Sequence, residues 1–200
     1  SIYNNITEEF NPKDKNFINK EYGIKTLEMM RNISVNLIED CFSMDPIQTA
    51  EILSSTDDFY YAPYTYGFSN YSRDDYRKNL LTYGNVLELS SKGPYGTHLG
   101  GTGIAISNRC NHKDFALEYS FWIAGAECQK TIFYDSGGQP SNSVAWDNKY
   151  INNECNNFFS NTRSTLNKAW VRPRHNGYMK FQDESGNIIN EYLQSDINED

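Results

Sequence analysis

The five residues Gly103-Ile104-Ala105-Ile106-Ser107 constrain the fold of this chain more than any other stretch. They are apolar at nearly every position, and a strand of that kind needs paired neighbours on both edges and helices over both faces. Just beyond it, Phe115, Tyr119, Trp122 and Ile123 recur at i, i+4, i+7 and i+8, which is one face of a helix. Short strands mixed with helices point to an α/β class. Further strand candidates are Phe59 to Tyr64, Leu80-Leu81 and Val86 to Leu89. They are too few to close a sheet, so this reading expects part of the sheet to lie outside the chain.

The helical segments are easier to place. Ile24, Leu27, Met30, Leu37 and Ile38 form a stripe from Glu21 to Glu39. Asp45-Pro46 is a helix start, because Asp accepts the free N–H groups and Pro fits the first turn; this helix should run to about Ser55. Gly125 breaks the 115–123 helix, and a second one carries Cys128, Ile132 and Phe133. Ser136-Gly137-Gly138-Gln139-Pro140 reads as a tight turn. Phe159, Leu166 and Trp170 mark a helix stopped by Pro173, and Tyr178, Phe181, Ile188, Ile189 and Tyr192 mark another. Residues 1–20, with Asn11-Pro12, read as a loop or the ragged start of an element.

Charge excludes one class of partner. The net charge is −8, with 18 Lys+Arg among 26 Asp+Glu, so no basic stripe is available for nucleic-acid phosphates. No apolar run reaches the ~18 residues of a membrane-spanning helix. The four cysteines (Cys41, Cys110, Cys128, Cys155) have no C-x-x-C pair, and Cys110-Asn111-His112 lacks a second ligand pair for zinc. Two disulfides or four free thiols are both open, and no cofactor is expected. Asn is abundant, a bias that an AT-rich coding sequence produces. The 15 tyrosines are more informative, because each offers a flat apolar face and a hydroxyl suited to polar ligands such as sugars.

Several groups are candidate ligand contacts, each with a plainer alternative. Tyr64 and Tyr66 follow Pro63 into a loop and could stack on a sugar, or pack in a core. Gly138 and Gln139 bring bare backbone and one amide toward a ligand, or form a structural turn. Trp146 is a stacking platform or a core residue. Arg172 and Arg174 flank Pro173 in an extended stretch and could hold a carboxylate or hydroxyl bidentately, or form surface ion pairs. The glycines at 93, 96, 100, 101 and 103 match neither a P-loop nor a dinucleotide fingerprint. Catalysis is not expected: no G-x-S-x-G accompanies His98, His112 or His175, and Asp57-Asp58 and Asp74-Asp75 are adjacent pairs that would not converge.

Four segments stand out together: Tyr64-Thr65-Tyr66-Gly67-Phe68-Ser69-Asn70-Tyr71, His98-Leu99-Gly100-Gly101-Thr102-Gly103-Ile104-Ala105-Ile106-Ser107, Ser136 to Pro140, and Arg172-Pro173-Arg174 with Gly177-Tyr178 and Phe181-Gln182. In their order and spacing they resemble the extracellular solute-binding protein family 1. The resemblance covers roughly residues 21–195. It implies a type II periplasmic-binding-protein-like α/β fold, truncated to its carboxyl-terminal half. Residues 1–97 would be the first part of the second lobe, 98–137 the hinge crossing with a first-lobe strand and helix, and 138–200 the helical return. The amino-terminal half, with any lipid anchor to the membrane, is expected to be missing.

The resemblance further implies capture of a small polar solute, most simply a carbohydrate, outside the cytoplasm and its delivery to an ABC transporter permease. Tyr64, Tyr66, His98, Gly100, Gly101, Gly138, Gln139, Trp146, Arg172 and Arg174 are the expected ligand contacts. A carbohydrate-active enzyme and an interaction domain with no small ligand are the alternatives.

Overall fold

The computed structural model describes residues 1–7, 18–91 and 93–195. The expectation at Asn11-Pro12 lies outside them. The described chain is helical, without a sheet: 52% of residues are in helices and 1% in strands. In chain order the α-helices are α1 (Ile2–Ile6), α2 (Lys20–Ser34), α3 (Pro46–Ser55), α4 (Lys113–Ala124), α5 (Ala126–Gln129), α6 (Ile132–Asp135), α7 (Ser143–Trp146), α8 (Lys149–Glu154), α9 (Phe158–Asn167) and α10 (Tyr178–Ser195). Single 3₁₀ turns span Glu39–Phe42 and Ser69–Ser72.

The α/β periplasmic-binding-protein-like class is therefore corrected. Residues 59–64, 80–81, 86–89 and 103–107 form no strand. Ile104, expected inside a sheet, is exposed. The residue types in these runs suit a pleated surface, but that preference is realised only against a paired neighbour. Among the described residues the single β-bridge joins His98 and Trp170 in parallel. Trp170, placed by its spacing on a helix, instead donates its N–H to the Thr97 carbonyl and accepts from the Leu99 N–H, each at 2.9 Å.

The helix starts follow from side-chain caps. Asn19 accepts from the N–H groups of Glu21 and Tyr22 at 2.9 and 3.3 Å. Asp45 accepts from Ile47 and Gln48, both at 2.8 Å, while Gln48 accepts from the Asp45 N–H, a reciprocal pair that fixes where α3 begins. Asn142 accepts from Val144, and Asn148 from Tyr150 and Ile151. The 21–39 stripe ends early, at Ser34, whose hydroxyl donates to the Arg31 carbonyl. Residues 1–20, read as a loop or the ragged start of an element, contain the one-turn helix α1.

The chain divides into two compact units. The first comprises Ser1–Thr49, Val86–Leu99 and Lys168–Asp200; the second comprises Ala50–Asn85 and Gly100–Asn167.

In the first unit α2 packs against α1 and α10, and the Arg31 guanidinium lies 4.5 Å from the centre of the Tyr192 ring. Its interior is largely polar. Asn4, Asn5, Thr7, Ser34 and Thr97 are buried, with Leu193 as a buried aliphatic partner. Asn5 donates to the Tyr95 carbonyl and Asn4 to the Gly96 carbonyl. Gly96 sits at φ +83, and a Cβ there would strike the Asn4 side chain, so this contact requires glycine.

The second unit has an apolar centre made of Tyr134, Ala145, Ile151, Cys155, Phe158 and Phe159, flanked by Tyr83 and Trp146. Phe158 meets Tyr83 and Phe159 edge-on, both at 5.0 Å between ring centres. Burying each such ring stabilises the fold by about 1.5–3 kcal/mol. The corner between α8 and α9 is made by Asn156 and Asn157, both with positive φ, the conformation that Asn tolerates best after Gly.

Candidate functional site

Seven of the ten expected ligand residues lie in the second unit, and most are used to hold it together. The Gln139 amide accepts from the Ser69 N–H at 2.7 Å and donates to the Gly67 carbonyl at 3.3 Å, so both its functions fasten the 67–69 loop. Gly138 is needed for packing: a Cβ there would lie 2.5 Å from the Phe133 ring. Trp146 donates from Nε1 to the Pro140 carbonyl at 2.7 Å and carries the Arg163 guanidinium over its ring at 5.1 Å. Tyr66 is exposed and leans on Gly100, where a Cβ would come within 2.8 Å of its ring. Tyr64 is exposed, and Gly101 borders open space.

Two further polar clusters stabilise this unit. Arg73 lies 3.9 Å from the centre of the Tyr134 ring and donates to the Tyr134 carbonyl at 2.9 Å. Glu51 accepts from Arg77 (2.6 Å at closest) and from the Tyr71 hydroxyl (2.7 Å). Arg77, then Tyr71, hold its carboxyl down to about 2. Burial, then the Glu51 carboxylate, pushes the Tyr71 phenol up to about 12. Asp57 pairs with Lys78 at 2.5 Å. None of the four cysteines is in a disulfide; Cys128 and Cys155 are buried, and burial raises the Cys155 thiol. Among the described residues no cluster of His, Cys, Asp and Glu could hold a metal ion.

The remaining three expected residues, His98, Arg172 and Arg174, fall together in the first unit. There an open groove of about 350 Å³ is lined by Leu99, Val171, Arg172, Pro173, Arg174, His175, Tyr178 and Met179. Pro173 keeps this stretch extended, which leaves the arginines on either side of a rigid residue. Arg172 donates from Nε to His98 Nε2 at 2.9 Å, and its Nη1 reaches only the Met179 thioether, at 4.0 Å. His98 is itself positioned by the bridge to Trp170, whose ring lies 5.3 Å away. Because Nε2 accepts, the His98 ring must be neutral. Burial, then the Arg172 charge, hold its pKa below the usual histidine value.

Among the described residues, no carboxylate lines this groove. Arg174 has no hydrogen-bond or ion-pair partner among the described residues. The amino end of α10 opens on the same space, since its first two residues, Tyr178 and Met179, are part of the wall. That end of an 18-residue helix adds partial positive charge. Burial raises the Tyr178 phenol, so its hydroxyl stays a donor at neutral pH. The groove therefore gathers cationic groups and N–H and O–H donors in a chain whose net charge is −8. Tyr178, Met179 and His175 went unremarked as lining residues in the sequence, although Gly177-Tyr178 at a helix start was a visible marker.

The chain matches no protein-family model, no curated protein and no solved structure. Among the described residues, no helix is long and apolar enough to cross a membrane.

Proposed function

We propose that this chain is a non-catalytic binding module that captures a small hydroxyl-bearing solute through an anionic group, a sugar acid being the simplest such ligand. One observation carries the reading: Arg172 and Arg174 line a groove to which the described residues contribute no carboxylate. Arg172 is preoriented by His98, which occupies Nε and leaves the Nη side for a ligand. The Tyr178 hydroxyl and the His175 ring supply directional contacts for hydroxyl groups, and Leu99, Val171 and Met179 supply an apolar wall. The described lining contains no carboxylate, serine or cysteine, which favours binding over turnover. The four segments that resemble a solute-binding family support delivery of the solute to a permease outside the cytoplasm.

Titration calorimetry tests the proposal with glucuronate and galacturonate against glucose and galactose. The acids should bind and the neutral sugars should bind at least tenfold more weakly. Arg172→Gln and Arg174→Gln should each weaken acid binding by about ten- to a hundredfold, the range for a charge-assisted hydrogen bond. Equal affinity for acid and neutral sugar, or acid binding that survives both substitutions, would overturn it.

A further inference from the structure

The chain holds a single Asn-Gly pair, Asn176-Gly177, in the turn that leads into α10. Its amide is placed unlike that of Asn142, which is also followed by a small residue, Ser143. Asn142 accepts from the Val144 N–H at 3.1 Å and donates to the Ala124 carbonyl at 3.2 Å, so it is held at both ends. Asn176 is exposed, and among the described residues its side-chain amide has no hydrogen-bond partner. The Gly177 N–H is unpaired there too, because the bonds of this turn run from the Tyr178 N–H to the His175 carbonyl and from the Phe181 N–H to the Gly177 carbonyl. Gly177 sits at φ +87 with open space where a Cβ would stand.

These features suit one reaction, attack of a backbone nitrogen on the side-chain amide that precedes it. Glycine has no Cβ to shield its nitrogen from the approach. The nucleophile is the peptide nitrogen without its proton, and its charge is shared with the Asn176 carbonyl oxygen, since both atoms belong to one planar amide. His175 Nδ1 lies 3.1 Å from that oxygen. A carbonyl only accepts, so Nδ1 is the donor here, and a donor on this oxygen favours the anion. We infer that Asn176 is a site of spontaneous deamidation. The Gly177 nitrogen bonds to Asn176 Cγ, the Cγ–Nδ2 bond breaks, and ammonia leaves with the proton that Gly177 gave up. Water then opens the cyclic imide at one of its two carbonyls, leaving aspartate or isoaspartate. The new carboxylate stands two residues from Arg174 and at the amino end of α10, both of which attract it. In a groove that captures anions it competes for Arg174, so deamidation is a slow, one-way clock on binding; this effect rests on the anion-binding reading above.

The full chain is aged in mildly alkaline buffer, and its tryptic peptides are followed by mass spectrometry and by isoaspartyl methyltransferase labelling. Peptide His175–Lys180 should show the mass gain of amide to acid and take the label, faster as hydroxide concentration rises. Peptide Thr131–Lys149, which holds the capping residues Asn142 and Asn148, should stay unchanged. His175→Ala should slow the conversion about two- to tenfold, the worth of one hydrogen bond. Conversion no faster than at Asn142, or undiminished in His175→Ala, would overturn the modification site. The effect on the groove is read separately, by glucuronate titration of Asn176→Asp against Asn176→Gln. The aspartate variant should bind roughly two- to fivefold more weakly, the range for an exposed charge pair. Equal affinities would overturn the clock and leave anion binding standing. No glucuronate binding in the parent or either variant would remove anion binding and the clock together, with the mass measurement still deciding the chemistry at Asn176.

Discussion

The two units reach stability by different means. The second is organised around large side chains, with Tyr134, Ile151, Cys155, Phe158 and Phe159 almost without solvent contact. The first buries mainly amides and hydroxyls, and its connections are hydrogen bonds from Asn4 and Asn5 to the 95–96 backbone. Apolar burial gains with every methylene removed from water, whereas an exchanged hydrogen bond contributes only about 0.5–1.5 kcal/mol net. The polar unit should therefore open more readily, and it is the one that carries the Arg172–Arg174 groove. Binding surfaces that must adapt to a ligand are commonly drawn from the less stable part of a fold.

The largest test of this contrast is Phe159→Ala. Deleting a fully buried ring should cost the second unit about 3–5 kcal/mol in urea denaturation. A loss below ~1 kcal/mol would mean that the apolar centre is not what holds that unit. In the first unit, Asn5→Ala should cost about 0.5–1.5 kcal/mol, because it removes the buried amide that donates to the Tyr95 carbonyl. Hydrogen exchange in the same variant should quicken around Tyr95 and α1 while the α9 amides keep their protection.

The smallest effect concerns pH. His98 is held below its ordinary pKa, so the unfolded chain takes up the proton first as pH falls below about 6.5. Stability contributed by neutral His98 is complete above that value and declines as pH drops toward the lowered folded pKa. Thermal melts between pH 7 and 5 should show the decline in the parent and a shallower slope in His98→Gln. Equal slopes would remove His98 from the account of the groove.

Much of the helical content could be read from the sequence, because each helix carries its own local signals. Asp45-Pro46 located the start of α3, and the 115–123 stripe located α4. What failed was whatever depended on distant partners. Ile104 and Ile106 have strand-like side chains, but no neighbouring strand exists within the described chain to pair with them. Gln139 looked free to meet a ligand, yet its partners at Gly67 and Ser69 lie about seventy residues earlier, beyond any local pattern. Arg172-Pro173-Arg174 could be recognised because Pro fixes the backbone there, whereas the wall from α10 depended on how the chain returns. The abundance of Asn, which composition assigned to coding bias, has structural uses at helix starts and at the Asn156–Asn157 corner.

That use of asparagine has a consequence for behaviour in acid. The helices α2, α7 and α8 all begin on an amide oxygen, from Asn19, Asn142 and Asn148. An aspartate in the same place would lose its acceptor charge on protonation, but a carboxamide has no proton to gain in this range. These three junctions hold no group that acid could titrate, whereas Glu51 and His98 respond to it.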